Sequence, residues 1–146
     1  MRYRHIIWTA ILALLPAISS TQQQPKSAPV KPAILHSKAY RFEDLKPNPG
    51  GNFKMYPVFD GVTTRGELLE MHESELKPGE TPNAAHSHHN EEILIIREGT
   101  LDVTIGDTTT RMGPGSVGYA ESEEKIGIKL VGATPAKYFI FSVGDR

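Results

Sequence analysis

Hydrophobic positions along this chain fall into short runs separated by turn residues, and no long segment keeps the i, i+3, i+4 spacing of an amphipathic helix. The run "FKMYPVFD" follows the turn-rich "KPNPGGN", and "RGELLEMHESEL" ends at Lys77-Pro78-Gly79. "EEILIIREG" is apolar through its middle and predicts a central strand buried on both faces. "TLDVTI" sets Leu101, Val103 and Ile105 on one face, with Asp102 and Thr104 on the other. Gly106-Asp107 then has the form of a two-residue hairpin turn into "TTTRM". After Gly113-Pro114-Gly115, the runs "SVGYA", "KIGIKLV" and "KYFIFSV" complete the set. "YRFEDL" has room for one helical turn at most. At least eight strands between turns predict an all-β sandwich or barrel, closed far enough to limit exposed edges.

The first nineteen residues break this pattern. A basic start (Arg2, Arg4, His5) precedes "IIWTAILALLPAI", an apolar run of thirteen residues. A membrane span needs about 20 residues, whereas a secretory signal needs fewer. Ala17 and Ser19 have the small-residue spacing of a cleavage site, so residues 1–19 are expected to be removed after Ser19. An uncleaved N-terminal anchor is the alternative. Cleavage removes Arg2 and Arg4 and takes the formal charge from −1 to about −3. Residues 20–33 are polar and rich in proline and glutamine, which predicts a disordered spacer. The folded domain is then expected over residues 34–146, in a secreted or periplasmic protein with no membrane contact once the signal is gone.

Composition narrows the chemistry. With no cysteine, the chain has no disulfide, thiolate metal site or cysteine nucleophile. Near-neutral charge gives no basic surface for nucleic acid. There is no G-x-S-x-G or H-E-x-x-H sequence and no phosphate-binding glycine loop. What stands out is "AAHSHHNEE", Ala84 to Glu92, which holds three of the six histidines. His86, His88 and Glu92 share the parity of one strand face, so two imidazoles and one carboxylate could aim at one point. Such a set suits a divalent metal (Mn, Fe, Zn, Ni or Cu) and leaves coordination positions open for water, a small molecule or dioxygen. His89 and Glu91 fall on the other parity and are expected to be exposed or supporting. The competing reading is a polar loop whose histidines face water.

"GETPNAAHSHHNEEILIIREG" resembles the first motif of the cupins, with Gly79, His86, His88, Glu92 and Gly99 in the motif's order and the gap after Gly79 one residue longer than the commonest form. "GTLDVTIGDTTTRMGPGSVGYA" is similar to the region leading into the cupin second motif. The resemblance covers residues 68–143 and points to a small single-domain cupin of the type-2, conserved-barrel kind. It implies a cupin-type double-stranded β-helix, or jelly-roll barrel, with the site inside. It also implies metal-dependent oxygenase or isomerase chemistry if the chain is an enzyme, and barrels that pair as homodimers.

The second motif departs from the family pattern. Alignment by flanking residues puts Ile126 where the usual fourth ligand, a histidine, would stand, and Leu130 where an asparagine would stand. No histidine follows His89. Ile126, Ile128 and Leu130 share an apolar face that should line the interior. A shift by one residue would substitute Lys125, whose ammonium cannot ligate without losing its proton. His72 is a candidate extra ligand, although apolar Leu69 and Met71 favour burial of the opposite parity. Glu124 could reach the mouth of the barrel, and His36 lies too near the spacer. Two functions follow: a cupin that holds a metal through His86, His88 and Glu92 and binds or converts a small molecule, or a non-enzymatic small-molecule binder whose metal site has decayed.

Overall fold

The structure is a computed structural model that describes residues 32–48, 53–80, 82 and 84–144. The expected signal segment lies outside the described residues, as does the spacer up to Lys31. Nine strands are present among them: β1 (Lys54–Val62), β2 (Leu68–Leu76), β3 (His86–Ser87), β4 (Glu91–Glu98), β5 (Leu101–Ile105), β6 (Thr108–Met112), β7 (Val117–Ala120), β8 (Lys125–Leu130) and β9 (Ala136–Val143). They form two antiparallel sheets, in the orders β1-β2-β9-β4-β7 and β3-β8-β5-β6. The only helical element described is one 3₁₀ turn over Phe42–Asp44. The expected all-β architecture is present, with β3 as a two-residue strand that periodicity cannot resolve.

Local chemistry accounts for the strand positions. β1 carries Pro57, which cannot donate to a ladder, and β1 is an edge strand with its register shift between Pro57 and Phe59. β5 alternates as expected, with Leu101 and Val103 buried. Asp102 faces outward and accepts two hydrogen bonds from the guanidinium of its cross-strand partner Arg111, at 2.9 and 3.2 Å. That contact holds the Asp102 carboxyl below its ordinary range. β4 differs from the expectation of burial on both faces. Glu92, Leu94 and Ile96 are buried, while Ile93 and Ile95 on the other face are only half-buried. A sheet with one inward and one outward face explains this, because only the inward side meets the second sheet.

The apolar core sits between the sheets and is built from Leu76, Leu94, Ile96, Leu101, Val103 and Ala136, with Met112, Tyr138 and Ile140 around them. Burial of these side chains drives the sheets together. The same β2–β9–β4 faces change character along their length. Cross-strand partners run Ser74–Tyr138–Ile96, then His72–Ile140–Leu94, then Glu70–Ser142–Glu92. The third rung is polar throughout, and that end becomes the site.

The outer face of the five-stranded sheet holds a buried charge. Glu73 is fully buried and accepts a hydrogen bond from Arg97 Nη1 at 2.9 Å, while its Oε1 has no hydrogen-bond partner. The Arg97 guanidinium also lies over the rings of Phe42 and Phe139, at 5.4 and 5.9 Å. Burial raises the Glu73 pKa, an effect opposed by the nearby Arg97 and Lys137 charges.

Two predictions follow. Gly99 has φ +79°, and a Cβ there would lie 2.6 Å from the Pro135 carbonyl oxygen and 2.7 Å from the Ala136 Cα. Gly99→Ala should therefore cost at least about 2 kcal/mol in denaturant unfolding, through the backbone conformation and the overlap together. Because Glu73 has a raised folded pKa, its favourable contribution is complete below the ordinary value of 4.5 and is lost as pH rises through the folded value. Melting curves taken from acid to neutral pH should show Glu73→Gln gaining stability relative to the parent chain as pH rises; a pH-independent difference would contradict the burial argument.

Candidate functional site

The motif residues do not lie on one continuous strand. His86 is in β3 of the four-stranded sheet, and Glu92 is in β4 of the five-stranded sheet. His88 lies on the link between them. Strand parity is therefore not what groups them; the crossing from one sheet to the other does so. All three line one cavity of 240 Å³, together with His72, Ile126 and Tyr138.

Each side chain is held differently. His86 pairs with Ile126 across β3 and β8, so the isoleucine faces the site at the position where a fourth ligand was expected. The exposed His86 ring places Nδ1 2.7 Å from the Ala84 carbonyl oxygen. A carbonyl only accepts, so Nδ1 carries the proton and Nε2 is left with a lone pair in the neutral ring. The His86 and His88 rings meet edge to face, with centroids 4.4 Å apart. His88 Nε2 lies 3.6 Å from Glu92 Oε1, beyond hydrogen-bond length. Glu92 is nine-tenths buried and makes no side-chain hydrogen bond among the described residues.

His72 occupies the parity opposite to the one its apolar neighbours suggested. It lines the cavity, and its Nδ1 is 2.9 Å from Glu70 Oε1, which also lines it. Leu69 and Met71 point to the outer face, where they are half-buried rather than fully enclosed. An apolar pair on a strand marks a covered face, but it does not say which side is the barrel interior. Tyr138, paired with Ser74 and hydrogen-bonded to its side chain, is pushed up to about 12 by burial, so it is a neutral phenol at physiological pH.

The link that carries His88 is fastened to the loop after β7. The Glu123 amide donates to the His88 carbonyl at 2.7 Å, and Ser122 Oγ donates to the His89 carbonyl at 2.6 Å. The His89 ring contacts the Glu123 carboxylate. Glu123 adopts φ 65°, unusual for a residue with a side chain. Glu123, not the anticipated Glu124, reaches the outer part of the site. Glu124 shares the parity of Ile126, but the turn conformation, not strand parity, decides which of the two reaches the site. His36 is exposed and lines neither this cavity nor the outer one beside it.

The fit of a metal can be tested on these contacts. Glu92 is a buried carboxylate without a hydrogen-bond donor, and His86 has its Nδ1–H anchored on a backbone carbonyl, the arrangement that orients Nε2 of a ligating imidazole. The donor chemistry therefore fits a divalent ion. The three donors are not assembled around a point, because no group of three His, Asp or Glu side chains among the described residues has metal-binding geometry. Metal binding would require side chains to rotate within the cavity.

The fold and motif residues converge on one family. Residues 72–143 match the family model described as the cupin domain, and the chain carries a domain of that family. Solved structures agree on the fold. An RmlC-like cupin from Shewanella frigidimarina superposes with a TM-score of 0.57 at 15% identity, covering 75% of this chain and 94% of its own. KdgF from a Halomonas species gives a TM-score of 0.61 at 13% identity, covering 76% and 96%. A predicted oxalate decarboxylase from Thermotoga maritima gives 0.57 at 15% identity, covering 74% and 100%. At these identities the likeness is one of fold. No curated protein matches the chain in sequence.

The hydrogen bonds of the imidazoles make one direct prediction. Long-range 15N–1H spectra of the neutral imidazoles should show His72 and His86 protonated at Nδ1 and bare at Nε2. Protons on Nε2 instead would show that the Glu70 and Ala84 contacts are not formed.

Proposed function

We propose that this cupin is a small-molecule-binding protein whose cavity captures a divalent metal through His86, His88 and Glu92. The observation that carries the reading is that these three donors line one cavity with an apolar wall. Among the described residues, buried Glu92 accepts no hydrogen bond and has only His88 Nε2 beside it, at 3.6 Å, so a cation would add a stabilising partner. A metal held there would supply Lewis-acid polarisation of a bound oxygen. The chain's own residues do the rest: Ile126, Ile128 and Ile140 exclude water, while the Tyr138 phenol offers a hydrogen bond. The basic and apolar N-terminus adds the proposal that the mature protein works outside the cytoplasm, secreted or periplasmic.

A second reading has its own support. Ile126 stands opposite His86 where a fourth donor would complete a set, and it contributes only apolar surface. On that reading the cavity binds its ligand without metal.

Metal analysis of the mature protein, after reconstitution with Mn, Fe, Zn, Ni and Cu separately, distinguishes the two. The metal reading expects about one ion per chain, loss of that ion in His88→Ala, and binding at least about tenfold tighter in Ile126→His, which adds an imidazole. A parent chain that takes up none of the five metals, beside an Ile126→His variant that does, would establish the metal-free reading instead.

A further inference from the structure

The three proposed donors lie along one common segment. Glu92 in β4 pairs with Ala120, the last residue of β7, and His86 in β3 pairs with Ile126 near the start of β8. Between these pairs, the Glu123 amide donates to the His88 carbonyl at 2.7 Å. Five residues separate His86 from Glu92, and five separate Ala120 from Ile126. The link and the β7–β8 turn therefore change sheets side by side, and one antiparallel register runs through the crossing. Donors that belong to two sheets are spaced out against residues 120–126.

The two sides of the crossing are fixed to different degrees. Residues 88–90 belong to no strand, and the Asn90 side chain donates only to the adjacent Glu91 carbonyl, at 3.3 Å. The turn is closed by the Glu124 amide on the Glu121 carbonyl at 3.1 Å. It is also tied to the β5–β6 hairpin, where the Gly106 amide donates to the Lys125 carbonyl at 2.9 Å. The Glu124 carboxylate packs over Gly106, in space that a Cβ would fill. The anchored turn therefore positions the link. One of its two bonds to the link comes from a backbone amide, which most residues at position 123 would supply. The other, from Ser122 Oγ to the His89 carbonyl at 2.6 Å, requires a hydroxyl. The His89 ring also meets the Glu123 carboxylate, but both side chains are exposed, where such a pair contributes little.

We infer that residues 120–126 are the template that sets the spacing of His86, His88 and Glu92, and that Ser122 is its positioning residue. The inference rests on the proposed reading of those three side chains as donors. Ser122 is exposed and meets the link at a backbone carbonyl rather than at a donor ring. It acts by holding that carbonyl, and so the backbone from which the His88 ring projects. Groups that orient ligands without ligating typically change metal affinity by about 10- to 100-fold.

The test compares the parent protein with Ser122→Ala and Ser122→Thr in two measurements. In the metal-free proteins, the nuclear Overhauser effect between the His86 and His88 ring protons reports their edge-to-face contact, whose centroids are 4.4 Å apart. Competition for zinc against a chelator reports the three donors together. Ser122→Ala should lose the ring contact and bind zinc about tenfold more weakly, and Ser122→Thr, which keeps the hydroxyl, should recover both. Recovery by threonine separates positioning from a general loss of stability, which melting curves of the same proteins report. The template assignment is overturned if Ser122→Ala keeps the ring contact, if it binds zinc as tightly as a zinc-binding parent, or if Ser122→Thr recovers neither property. The metal reading stands in each of those cases. If the parent takes up no zinc, it is the metal reading that fails for this ion, and the ring contact alone then decides the role of Ser122.

Discussion

The site depends on how the chain crosses from the four-stranded sheet to the five-stranded one. Between β3 and β4 the backbone leaves one ladder before joining the next, and its carbonyls at His88 and His89 would lack partners. They are satisfied by the Glu123 amide and the Ser122 hydroxyl, from a turn more than thirty positions away. This pairing fixes where the link runs, and so where His88 stands relative to Glu92 and His86. The strained φ at Glu123 is the local cost of presenting its amide to the link. Without that clasp, two imidazoles on a polar connection would have no defined relation to the carboxylate in β4.

Around this crossing the interior divides its work between stability and binding. At one end Leu76, Leu94, Leu101 and Val103 close the space between the sheets with apolar side chains. At the other, β2, β4 and β9 contribute Glu70, His72, Glu92 and Ser142. Every polar group placed inward forgoes hydrophobic burial and needs a partner of its own. Most have one: His72 has Glu70, and Tyr138 has Ser74. Glu92 has only His88 Nε2 at 3.6 Å, beyond hydrogen-bond length. Glu73, on the outer face, shows the contrasting solution, since the Arg97 guanidinium donates to it at 2.9 Å.

Much of this was legible in the order of residues. Alternation placed Leu101 and Val103 inward and Asp102 outward, because a pleated strand sends successive side chains to opposite faces. The glycine that closes the first motif, Gly99, is demanded by a positive φ and by backbone packed against its α-carbon. The loss of the fourth histidine could also be read directly, since an isoleucine carries no donor in any conformation. His72 was harder. Leu69 and Met71 beside it argued for the opposite face, and periodicity reports that two faces differ without saying which encloses the cavity.

The sequence by itself determined that the chain is rich in short strands and carries two imidazoles and one carboxylate in a motif that resembles the first motif of the cupins, because those facts depend on residue identity and short-range spacing. Only the tertiary structure decided which side chains meet. Grouping His86 with Glu92 required a change of sheet, bringing His72 and Glu70 into the same space required the β2–β9–β4 pairing, and selecting Glu123 over Glu124 required a particular turn. Each of these rests on contacts between residues far apart in the chain, where local periodicity carries no information about distance.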